Sequence, residues 1–88
     1  MIKIRTLLTF CISLLFITPT LNAKDLISII VTDPNNPYWY TEGQVAAQTA
    51  RELGYEAKVS AHLGSLEAEI KEIQKAIDDN AKGIVLDP

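Results

Sequence analysis

The chain has 88 residues, 48% of them hydrophobic, and a formal net charge of -3, which describes at most one small globular domain. From residue 24 onward six cationic side chains (Lys24, Arg51, Lys58, Lys71, Lys75 and Lys82) stand against eleven acidic ones. No basic stripe exists to hold a phosphate backbone, which argues against a nucleic-acid partner, and the single cysteine, Cys11, leaves no disulfide framework.

Met1 to Ala23 begins with Lys3 and Arg5, runs through the apolar "LLTFCISLLFIT", breaks at Pro19 and closes on "LNA". This is the pattern of a secretory signal peptide, with cleavage expected after Ala23. A spanning helix needs about 20 apolar residues and the run from Leu7 to Ile17 is roughly half that, so an uncleaved anchor is not expected. A lipoprotein would be acylated on Cys11, but bulky Phe10 precedes it where a small residue is needed. Cys11 therefore reads as one more apolar residue of the signal. The remaining segment, residues 24–88, is expected to be exported without any cysteine.

From Leu26, "LISIIV" is almost continuously apolar and β-branched, which predicts a central strand of a parallel sheet covered on both faces. "TDPNNPYWYTEG", residues 32 to 43, has the composition of a loop, and loops tend to carry function. A helix is predicted over Thr41 to Leu53, with Ala46, Ala50 and Leu53 on a narrow face and Gly54 as a left-handed terminator. "YEAKVS", residues 55 to 60, alternates like a strand with one more accessible face. After a loop from Ala61 to Gly64, Ser65 offers an N-cap for a second helix reaching about Asn80. Leu66, Ile70, Ile73 and Ile77 mark its apolar stripe, and Glu67, Glu69 and Glu72 lie toward its positive end. "GIVLD" then reads as a short, buried third strand.

The order β-α-β-α-β, joined by right-handed crossovers, predicts an α/β fold. Its partial doubly wound parallel sheet has strand order 2-1-3, with the helices on opposite faces. The carboxyl end of the first strand then opens onto a crevice at the switch point, where Thr32 begins the aromatic segment. Three strands would leave open edges and few residues to cover them, so a partial chain is expected, with 24–88 forming part of a lobe.

Tyr38, Trp39 and Tyr40 raise the question of what this segment does. A sugar presents a C–H face that packs on an aromatic ring and a rim of hydroxyls that need polar partners; "TDPNNPYW" supplies both kinds. Asn36-Pro37 is equally the signature of a helix start, Asn at the N-cap and Pro at the first helical position, and one of Tyr38 and Trp39 must then face inward. The residue types alone leave capping and core packing level with a ligand site.

The expected signal peptide, "ISIIVT", "NNPYW", "ARELGYE" and "KGIVLDP" together resemble, in order and spacing, the amino terminus of periplasmic sugar-binding proteins of the ribose-binding type, the substrate-binding components of ABC transporters. The resemblance implies the first part of the N-terminal lobe of a two-lobed monomer that closes on a monosaccharide or polyol and docks on an inner-membrane permease. By position, it implies Tyr38 as the stacking aromatic, Asn36 as its polar companion, Trp39 as a second aromatic and Thr32 as a polar residue at the strand end. Phe is common at the two aromatic positions of that family, and "YW" departs from it by adding donors. A sensor that presents its ligand to a chemotaxis or histidine-kinase receptor is the alternative role. The related repressors that share such a lobe would need a DNA-binding segment where the signal stands.

Among the other residues, Asp33 is expected to form an Asx turn before Pro34, with a ligand contact as the alternative. Asp87 ends the third strand on the same edge as Thr32 and is placed either in the cleft or as a cap for the next element. His62, the one histidine, is expected at the surface, with the rim of the cleft as the alternative, and Asp78 and Asp79 on a solvated face. No glycine-rich phosphate loop, metal spacing or nucleophile and base pair is present, so neither a cofactor nor enzymatic activity is expected.

Overall fold

A run rich in β-branched residues, Ile27, Ile29, Ile30 and Val31, forms β1 (Leu26–Val31), and its last four residues, Ser28 to Val31, are all buried. Successive strand residues point to opposite faces, so an unbroken buried run means that both faces are covered. A computed structural model describes residues 24–88; the expected signal segment, Met1 to Ala23, lies outside the described residues. After β1 come α1 (Pro37–Glu52), β2 (Glu56–Ala61), α2 (Leu66–Asp78) and β3 (Gly83–Leu86). The sheet is parallel throughout with order β2-β1-β3, as the sequence predicts.

The faces divide by residue parity. Ile27, Ile29 and Val31 of β1 pack with Ala57, Val59 and Ala61 of β2 and with Ala46 and Ala47 of α1. Gly43 explains how closely α1 sits. A β-carbon there would lie 3.2 Å from a Val31 methyl and 3.3 Å from a Val59 methyl, close enough that both valines would have to give by a few tenths of an ångström. Lys58, on the opposite parity, pairs at 3.4 Å with Asp79 at the end of α2, which places α2 on the other face with fully buried Ile30 and Ser28. Both helices end in the same backbone motif. Tyr55 and Gly54 donate to Ala50 and Arg51, and Ala81 and Asn80 donate to Ala76 and Ile77, with Gly54 at φ 91 and Asn80 at φ 58.

Several expectations need correction. Helix α1 starts at Pro37, four residues before Thr41, so Tyr38, Trp39 and Tyr40 belong to its first turn and not to a loop. Its buried line is Gly43, Ala47 and Ala50; Leu53 falls roughly 120° around the axis from Ala47 and is exposed. In α2 Ala76 is buried and Ile73 of the predicted stripe is half-buried, whereas Leu66, Ile70 and Ile77 lie roughly 80–120° from Ala76 and are exposed. Strand β3 is not buried either: α1 and α2 cover β1 and β2, leaving Ile84, Val85 and Leu86 accessible. His62 is not a surface residue; it is 3% exposed.

Candidate functional site

The carboxyl ends of the three strands converge on one edge. Thr32 follows β1 in the middle, Asp87 follows β3 on one side, and His62, Leu63 and Gly64 follow β2 on the other. Backbone bonds carry the ladder past the strand ends: His62 donates to the Val31 carbonyl (3.1 Å), Leu63 to Thr32 (2.7 Å) and Asp87 to Ile30 (2.9 Å).

Side chains then fix this edge. The Thr32 hydroxyl donates to the Asp87 carboxylate at 3.4 Å, near the long limit for such a bond, so the carboxylate keeps acceptor capacity for another donor. His62 Nδ1 accepts the Gly64 N–H at 3.0 Å, which puts the ring proton on Nε2, and Nε2 donates it to the Asp87 carbonyl at 2.7 Å. One neutral imidazole thus joins the loop after β2 to the end of β3. Leu63 sits at φ 55, a left-handed conformation that costs a residue bearing a β-carbon roughly 1–2 kcal/mol, and is followed by Gly64 at φ 77. The Gly64 bond to His62 and the Ser65 N–H bond to the His62 carbonyl (3.0 Å) hold this tight turn.

The segment after Thr32 is built by two local polar motifs. Asp33 Oδ1 accepts from the Asn35 N–H at 2.9 Å, the Asx turn that the sequence favoured. Asn36 has φ -89 and ψ 123, and its Oδ1 accepts from the Tyr38 N–H at 3.0 Å, so it is the N-cap of α1 with Pro37 behind it. Capping uses the amide oxygen alone and leaves the Nδ2 group as a donor for a ligand.

The aromatic pair splits as helix geometry requires. Trp39 is half-buried against Ile29, Val31 and Ala47. Tyr38 is 70% exposed, and the two rings meet edge to face with centroids 5.7 Å apart at 89°. Trp39 thereby braces Tyr38, which also lines a hollow on the outer side of α1 with Pro37, Thr41, Glu42 and Val45. Tyr40 points to solvent. The structure therefore joins Thr32 to Asp87 at this edge, sets Asp33 and Asn36 in the turn and cap that follow Thr32, and directs Trp39 to the core and Tyr38 to the outer side of α1. The sequence offered His62 there only as the alternative to a surface place and did not single out Leu63; the signal for both was their position directly after the second strand of a 2-1-3 sheet. Among the described residues no cluster of three or more His, Cys, Asp or Glu is placed to hold a metal ion.

The curated relatives that match this chain include two proteins of one name. A D-apiose import binding protein of Actinobacillus succinogenes is 37% identical over 62 residues, which is 70% of this chain and 20% of that protein. A second protein of the same name, from Paraburkholderia graminis, is 34% identical over 70 residues, 80% of this chain and 22% of that protein. The chain spans about a fifth of the length of these relatives. In a chain of 88 residues, a stretch of 62 must take in residues 27 to 62, so both matches include Ile27 to Val31 of β1, Asn36, Tyr38, Trp39 and His62. No family model matches the chain, and no solved structure matches it.

Proposed function

We propose that the chain is part of an exported solute-binding protein that captures a monosaccharide or polyol and delivers it to an ABC permease in the inner membrane. The observation that carries this reading is the likeness to two D-apiose import binding proteins over a stretch that takes in residues 27 to 62, and with them Thr32, Asn36, Tyr38 and His62. In this reading residues 24–88 are the first part of the N-terminal lobe, residues 1–23 are a signal peptide removed on the way to the periplasm, and the protein works as a monomer without a cofactor.

The edge supplies one wall of the cleft. The exposed ring of Tyr38 offers a platform for the C–H face of a sugar, and Trp39 holds that platform from behind. Asn36 Nδ2 donates to one hydroxyl, and the Asp87 carboxylate beside Thr32 accepts from another. Asp33 and the Thr32 hydroxyl stand within the same rim. In this reading the site holds a ligand and does not transform it.

D-apiose, a branched pentose, is the first ligand to test because it stands in the name of both relatives. Calorimetric titration of the full protein with D-apiose, other pentoses, hexoses and polyols is expected to show saturable binding of at least one of them. Heats of dilution across the whole panel would refute the reading. N-terminal sequencing of exported protein is expected to begin at Lys24; retention of Met1 would refute the export step.

A further inference from the structure

We propose that His62 is the positioning residue of this edge, acting only as the neutral Nε2–H tautomer: it fixes Asp87 on one side of Thr32 and the Leu63–Gly64 turn on the other, and its protonation weakens ligand binding. The proposal rests on the sugar-cleft reading for its effect on affinity, whereas the tie itself stands on geometry alone.

The ring is 3% exposed, and both of its nitrogens are used. Nε2 donates to the Asp87 carbonyl at 2.7 Å, and Nδ1 accepts from Gly64 at 3.0 Å. Asp87 carries the carboxylate that takes the Thr32 hydroxyl, so the Nε2 bond holds the backbone of a residue whose side chain faces the site. On the other side, Leu63 has a left-handed backbone and an exposed side chain directly beside the end of β1, bound through its N–H to the Thr32 carbonyl at 2.7 Å. A turn that is costly in itself needs outside support, and the ring nitrogen gives it.

Imidazolium has no acceptor. Adding a proton at Nδ1 turns the Gly64 contact into two opposed N–H groups while leaving the Nε2 bond in place. The strained turn is then free to relax, and it carries Leu63 and the start of α2 with it. Histidine is the side chain that ordinarily changes charge between about pH 5 and 8, while carboxylates in general stay ionised down to about pH 5. The charged groups on the elements around the ring are Asp87 after β3, Asp33 after β1, Glu67 and Glu69 in the first turn of α2 with Lys71, Glu72, Lys75 and Asp78 farther along it, and Glu56 and Lys58 on β2.

The test compares wild type with His62→Gln, which can donate and accept at similar reach but does not titrate. In wild type, nitrogen-detected NMR is expected to show the Nε2–H tautomer at pH 8, and protonation to abolish the slow exchange of the Gly64 amide. With D-apiose as the probe, affinity is expected to fall about three- to tenfold from pH 8 to pH 5, the effect of one hydrogen bond, and to stay flat in His62→Gln. An unchanged Gly64 amide on protonation, the Nδ1–H tautomer at pH 8, or the same pH dependence in His62→Gln would each overturn the proposal. Expected NMR spectra together with no binding of any sugar at pH 8 would overturn the sugar reading and leave the tie standing.

Discussion

The two ends of the sheet are built by different means. At the amino end, α1 and α2 terminate in the same backbone motif, and the chain re-enters the sheet through backbone bonds, Glu56 to the Asp25 carbonyl (2.8 Å) and Lys82 to Leu26 (2.7 Å). Any sequence with a residue tolerant of positive φ after the helix can make these turns. At the carboxyl end every connection is held by a particular side chain: Asp33 in its turn, Asn36 and Ser65 as caps, Thr32 on Asp87, and His62 between Gly64 and Asp87. Backbone turns suffice to reverse a chain, whereas side-chain ties specify where each loop residue stands. That specification is concentrated on the edge where the exposed aromatic lies.

Substitutions at the two ends should expose this difference. The largest effect is expected from His62→Leu, which leaves the Asp87 carbonyl and the Gly64 N–H without their partner in a part-buried site. Denaturant unfolding should register a loss of about 1–3 kcal/mol. At the amino end, Gly54→Ala meets no atom within 4 Å but must hold φ 91, so a loss of roughly 1–2 kcal/mol is expected from the backbone alone, with ligand affinity untouched. Asn36→Ala should cost about 1 kcal/mol of stability through the lost cap. Asn36→Asp should keep the cap and change affinity, because a carboxylate cannot donate to a hydroxyl. The smallest effect belongs to Lys58→Ala: its 3.4 Å pair with Asp79 is about two-fifths exposed, and a loss below about 1 kcal/mol that shrinks with added salt is expected. A Gly54→Ala variant that lost affinity as strongly as Asn36→Asp would erase the distinction between the ends.

The strands and their order were legible because an apolar β-branched run, an alternating run and a second short apolar run are separated by helical patterns of ordinary crossover length. Helix α1 was legible from Thr41 onward, and its true start at Pro37 was visible as an Asn-Pro cap. Three aromatics in succession gave that turn the composition of a loop. Burial was less legible where it depends on which side of a helix meets the sheet. Small Gly43 and Ala47, not Leu53, make the contact in α1, since close packing selects the residue without bulk. His62 was opaque for a different reason: its partner is a backbone carbonyl 25 residues away, which no local pattern announces.

The ring of Tyr38 bears most directly on the sugar reading, as the exposed aromatic in the first turn of α1, packed edge to face with Trp39. Calorimetric titration of the full protein with its best sugar should find Tyr38→Ala weaker by about 1–3 kcal/mol, the range for a lost aromatic contact, with Tyr38→Phe close to wild type and both variants as stable as the parent. Unchanged affinity in Tyr38→Ala would contradict that reading, because the segment would then serve only as the cap and brace of α1.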